Sequence, residues 1–159
     1  MPGQRGELAM TETVSSVRLG EIIQEFDLEI LRKGPDYENV PLRTLDVNRP
    51  GLPLTGFFEH FDTERLLLIG LTESTYVNGM TPQQRRDSFD RLLSYPVPAL
   101  ILTRGLEPTR ECMEMADKHD RTILRTHVQT SEFMSALISS LYNHLAPQIT
   151  RSGVMMEIY

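Results

Sequence analysis

Three short apolar runs set the frame of the chain. Arg65–Leu71 (RLLLIGL), Pro98–Arg104 (PALILTR) and Thr122–Thr126 (TILRT) are continuous rather than alternating. That is the pattern of strands buried on both faces. Between them lie segments of helical period. In TPQQRRDSFDRLLSY, Thr81 is placed as N-cap, Pro82 at the first helical position and Gln84 at the third, with Phe89, Leu92 and Leu93 as the apolar stripe. In EPTRECMEMADKHD, Cys112, Met113 and Ala116 point inward. The segment TSEFMSALISSLYNHLAPQI repeats Phe133, Leu137, Leu141 and Leu145, with Met134 and Ile138 beside them. Thr130 or Ser131 is its expected cap, Glu132 suits its positive end, and Pro147 is expected to close it.

Upstream, Leu19, Ile22, Ile23 and Phe26 share one helix face. Leu28–Leu31 is a strand candidate, RKGPDYEN a turn-rich connector, and Val40–Val47 a strand weakened by Pro41. GVMMEIY is expected as a last strand. Strand and helix alternate with short connections, which predicts an α/β domain. Its architecture is expected to be a three-layer α/β/α sandwich around a largely parallel sheet. The expected organisation is a flexible tail over 1–15, the domain over 16–150, and the start of a further strand over 151–159. Met10 is a second candidate start.

The 159 residues suffice for one core, and 40% hydrophobic with 24% charged content is ordinary for a globular chain. A net charge of −6 argues against sequence-independent nucleic-acid binding, which needs a basic face. The single cysteine excludes an intrachain disulfide and suits a reduced, cytoplasmic setting. No apolar run is long enough for a membrane span, and the N-terminal residues lack a signal core.

Candidate chemistry is sparse. Gly51–Gly56 (GLPLTG) has the glycine spacing of a P-loop, but Phe57 and Phe58 stand where Lys and Ser/Thr must follow. His60, His119, His127 and His144 show no paired spacing, so no metal site is expected. Cys112 reads as a buried structural thiol rather than a nucleophile. Ligands of parallel sheets bind beyond the strands' carboxyl ends. Those ends carry Thr72, Thr103, Arg104, Thr130 and Ser131, a set able to hold a phosphate or carboxylate. The competing reading is that the hydroxyls only cap helices.

DVNRPGLPLTGFFEHF (Asp46–Phe61) places four Gly/Pro residues within seven positions. It is expected to fold over the carboxyl end of the sheet. Arg49 and Thr55 would then face the cleft, with Phe57 anchored in the core. The alternative is a structural corner whose arginine bonds backbone carbonyls.

NRPGLPLTGFF, ERLLLIGLTESTYV, TPQQRRDSFDRLL, PALILTRGLEPTRE and SGVMMEIY, in that order, resemble the N-terminal half of HPr kinase/phosphorylase, from about Val17 to Tyr159. The resemblance implies a bacterial, cytoplasmic, hexameric enzyme of carbon catabolite control. Such an enzyme phosphorylates a serine of HPr with ATP or pyrophosphate and Mg2+, and removes that phosphate by phosphorolysis. It also implies that the nucleotide loop, the metal ligands and the HPr contact belong to a second, catalytic domain that follows Tyr159. The present part would be an α/β/α unit similar to the first domain of the MurE and MurF ligases, serving assembly or regulation without catalysis. It would need no cofactor of its own, and its partners would be its own catalytic domain and other subunits. Ser152 occupies the place where the family usually carries an active-site histidine. Two rival readings remain: a stand-alone binding module for a small phosphorylated or carboxylated metabolite, and a complete small enzyme.

Overall fold

The structure, a computed structural model, describes residues 16–56, 58 and 61–146. The tail over 1–15, Phe57, Pro147, Ser152 and the GVMMEIY segment lie outside the described residues.

In chain order the elements are β1 (Val17–Arg18), α1 (Leu19–Glu25), β2 (Glu29–Arg32), a 3-10 turn (Tyr37–Asn39), β3 (Pro41–Leu42) and β4 (Val47–Asn48). There follow α2 (Gly51–Leu54), β5 (Leu66–Ile69), α3 (Leu71–Asn78), α4 (Pro82–Ser94), β6 (Leu100–Leu102), α5 (Arg110–His119), β7 (Ile123–Arg125) and α6 (Thr130–Leu145). The main sheet has the order β2-β7-β6-β5-β4. β4, β5, β6 and β7 are parallel neighbours, and β2 closes one edge antiparallel to β7. β1 and β3 form a separate antiparallel pair. The Val40–Val47 stretch, expected as one strand, is thus divided between two sheets.

From β4 to β7 the strands stand in chain order without a reversal. Right-handed crossovers that all step the same way leave their helices on one face. The packing agrees. Leu67, Ile69, Leu100, Leu102 and Ile123 meet Leu54 of α2, Val77 of α3, Phe89, Leu92 and Leu93 of α4, and Cys112 and Ala116 of α5. The alternate strand positions Leu66, Leu68, Ile101 and Leu124 face the other way. They pack on Leu19 and Ile22 of α1 and on Phe133, Leu137 and Leu141 of α6. Both sheet faces are therefore covered, as continuous apolar strands require.

The cap matches the sequence in α4 and differs in α6. Thr81 Oγ1 accepts from the Gln84 N–H at 3.1 Å, and the Gln84 side chain accepts from the Thr81 N–H at 2.9 Å. Thr81→Ala is expected to lower stability by about 1 kcal/mol in chemical denaturation, the usual worth of an N-cap. In α6 the N-cap is Gln129, with no side-chain bond to the helix. Thr130 is already the first helical residue, and its hydroxyl is engaged elsewhere. Cys112 is buried, and burial pushes its thiol up to about 12. Native protein at pH 8 is therefore expected to resist iodoacetamide, with one equivalent incorporated only after unfolding; full labelling of native protein would contradict its burial. No helix among the described residues is long and apolar enough to cross a membrane.

Candidate functional site

The RPG corner begins where β4 ends. Pro50 is buried, and the chain turns through α2, whose Leu54 enters the core. The Leu54 carbonyl accepts from Ser88 Oγ of α4 at 3.0 Å. Gly56 has φ +103°, a conformation that side chains resist. Beyond it, Phe58 stacks on Tyr95 at 5.0 Å and Phe61 lies against the same ring at 5.2 Å. Arg91 covers the outer side of Phe58, 4.4 Å from the ring centroid. The aromatic pair is thus a clasp onto the end of α4.

Arg49 leaves this corner toward the carboxyl end of β5 and finds a carboxylate, not backbone carbonyls. Its Nε and Nη2 donate to Glu73 Oε2 and Oε1 at 2.9 and 2.8 Å, a bidentate fork. Glu73 Oε1 also accepts from the Gly70 N–H at 2.9 Å, which closes the first turn of α3. Glu73 is only 6% exposed, whereas the Arg49 side chain is 35% exposed. Burial alone would raise the Glu73 pKa. The Arg49 fork and the Gly70 amide outweigh it and hold the carboxyl below its ordinary value.

Beside this pair, Thr103 at the end of β6 and Thr130 at the start of α6 share a hydrogen bond of 2.6 Å between their hydroxyls. The Thr103 hydroxyl also lies 3.3 Å from the Ile69 carbonyl of β5. A consistent proton order is Thr130 donating to Thr103 and Thr103 donating to Ile69. Gly70 sits where the two groups meet. A Cβ there would lie 2.6 Å from Thr130 Oγ1 and 3.0 Å from Arg49 Nη2, so only glycine lets them close together.

The structure therefore brings Arg49 and Thr130 of the expected set together around Gly70, with Thr103 bonded to Thr130 and Arg49 bonded to Glu73. Thr72 and Ser131 are exposed in the first turns of α3 and α6. Thr55 is exposed in the turn after α2. Arg104 is exposed with φ +59°, and its N–H donates to the Val128 carbonyl at 2.9 Å. Among the described residues no group of three or more His, Cys, Asp or Glu is arranged to hold a metal ion.

Other ion pairs hold the same framework. Arg85 reaches Glu111 at 2.9 Å and caps the end of α3 through the Val77 and Met80 carbonyls at 3.1 and 2.8 Å. Arg125 of β7 grips Glu29 of β2 through two bonds of 3.0 Å, which fastens the antiparallel edge. Glu73 was not among the residues expected from the sequence. The signal for it was present: Gly70-x-x-Glu73 directly after a buried strand has the spacing of a capping box.

Residues 17–141 match the family described as HPr Serine kinase N terminus. The HPr kinase/phosphorylase of Caldicellulosiruptor bescii is 40% identical over 141 residues, covering 89% of this chain and 45% of the relative. That of Caldanaerobacter subterraneus subsp. tengcongensis is 38% identical over 146 residues, covering 92% and 48%. The chain spans about half the length of the curated relatives it matches. Among solved structures, the CBS and DRTGG domains of the regulatory region of Clostridium perfringens pyrophosphatase, complexed with diadenosine tetraphosphate, superpose with a TM-score of 0.52. The identity is 16%, over 91% of this chain and 60% of that one, a likeness of fold alone.

Proposed function

As the chain belongs to the HPr serine kinase N-terminal family, we propose that it is the non-catalytic part of an HPr kinase/phosphorylase, acting in assembly and regulation within carbon catabolite control. In this reading phosphoryl transfer from ATP or pyrophosphate, with Mg2+, belongs to the other half of the parent, as does the contact with HPr. The parent is cytoplasmic and hexameric, this part meets its own catalytic domain and neighbouring subunits, and Ser152 takes the sequence position of the family's active-site histidine. The likeness to the first domain of MurE and MurF ligases belongs to the same proposal.

One observation carries it. The best-placed polar groups at the strand ends are committed to one another: Arg49 to Glu73, and Thr103 to Thr130. Phosphotransferases work by positioning a nucleotide and metal with uncommitted donors. A site whose donors already join the end of β4 to α3 and the end of β6 to α6 is built to stay shut.

The test is incubation of the chain with HPr and Mg2+, with ATP or pyrophosphate as donor, beside the full-length parent. Phosphoserine is expected from the parent alone; its formation by this chain overturns the proposal.

A second reading, binding of a small phosphorylated or carboxylated metabolite at the strand ends, draws support from Arg104, whose side chain is exposed and forms no ion pair among the described residues. A thermal-shift screen with sugar phosphates, nucleotides and UDP-sugars tests it. A ligand at one hundred times its dissociation constant adds about 2.7 kcal/mol.

A further inference from the structure

A cavity of about 450 Å³ opens at the other end of the sheet, between the loops that enter β5, β6 and β7 and the β3 segment. Its size falls in the range of small-molecule sites. Pro35, Pro96 and Pro98 form apolar walls. Proline fixes its own φ and offers no N–H, so these walls are rigid and present ring carbons rather than donors. The floor is tight as well: the Gly34 N–H donates to Thr122 Oγ1 at 3.0 Å, and a Cβ on Gly34 would lie 2.8 Å from that oxygen.

Two cations line this space, Arg43 and Arg121. Several other arginines of the domain are paired with acids, Arg32, Arg65, Arg86 and Arg125 among them. Arg43 and Arg121 have no carboxylate within ion-pair distance among the described residues. Arg121 spends Nε on the Leu93 carbonyl at 2.7 Å and Nη2 on the Ser94 carbonyl at 3.4 Å, which fixes the plane of its guanidinium. Burial lowers its pKa, with the negative charge of Asp120 acting in the opposite sense. The Asp120 carboxylate itself is taken by Arg32 at 3.0 Å. Glu64 is the remaining acid in the lining and is exposed. One cation without an acid partner among the described residues, Arg43, a second whose Nη1 is left for a ligand, Arg121, and one exposed acid, Glu64, suit a single oxyanion, not a polyanion.

We infer that this cavity is a binding site for a small ligand bearing one oxyanion, phosphate or carboxylate, on a compact apolar body. The oxyanion meets Arg43 and Arg121 and the body lies against the proline walls. The inference is independent of the family reading, because none of these residues belongs to the joint at the opposite end of the sheet.

The experiment is an NMR titration of the chain with phenyl phosphate, benzoate and benzyl alcohol. The first two are expected to give saturable shifts at the amides of Thr63, Val97 and Thr122, and the tighter binder identifies the preferred oxyanion. Arg43→Gln, at an exposed side chain, is expected to weaken that binding at least tenfold, while Arg104→Gln leaves it unchanged. Benzyl alcohol binding as well as the anions would overturn the inference. So would an unaltered affinity in Arg43→Gln, or no saturable shift with either anion.

Discussion

Phe133→Ala is expected to remove about 3–5 kcal/mol of folding stability, the loss typical of a buried aromatic truncated to a methyl group. Phe133 is 2% exposed and meets Phe26 edge to face, with ring centroids 5.4 Å apart. It is the residue through which α6 and α1 grip each other over the sheet face formed by Leu68, Ile101 and Leu124. Most of the buried residues in its cluster are packed Leu and Ile, which cannot refill the space without leaving their own contacts. The effect should also reach the joint at the strand ends. Phe133 lies one turn after Thr130, so a loosened first turn of α6 weakens the Thr103–Thr130 bond. Urea denaturation should show a lowered midpoint with an unchanged slope. A loss under 1 kcal/mol would contradict the packing.

Arg49→Ala is the second large effect, at about 2–3 kcal/mol. Breaking a fully buried pair costs about 3–5 kcal/mol because the remaining charge is left without compensation. Here the arginine keeps one third of its surface in water, and solvent screening reduces the figure. What remains comes mostly from Glu73, buried and left with the Gly70 amide as a bonding partner. The same pair sets a pH dependence. The Glu73 pKa is lowered by folding, so its contribution is present above the unfolded value, about 4.3. That contribution is lost as the pH falls through the folded value. Arg49→Ala should therefore flatten the acid limb of the stability curve as well as lower its neutral plateau. Stability measured without any ligand carries the argument: an unchanged melting temperature would assign Arg49 to ligand binding instead of the corner.

The strands β5, β6 and β7 were legible in the sequence because a strand buried on both faces has nowhere to place polar residues. Helix α4 was legible from its capping box and apolar stripe. α3 was not, and the reason is physical. Its buried positions are Glu73, Ser74 and Val77, so two of the three residues facing inward are polar. An element whose inner face is hydrogen-bonded rather than greasy has no hydrophobic period to read. The site followed the same rule. Arg49, Thr103 and Thr130 were singled out by residue type and by position after strands. The partner that decides what Arg49 does sits on the helix that the pattern hid. The division of Val40–Val47 between two sheets was likewise invisible, since two-residue strands are set by tertiary pairing and not by propensity.

The central claim is that the strand ends form a closed joint holding β4, β5 and α3 together. A double-mutant cycle on Arg49→Ala and Glu73→Gln, followed by urea denaturation at pH 7 without ligand, tests it most directly. The account predicts that the two changes are strongly non-additive, with a coupling of about 1–3 kcal/mol. Additive effects with each single variant near wild-type stability would contradict it.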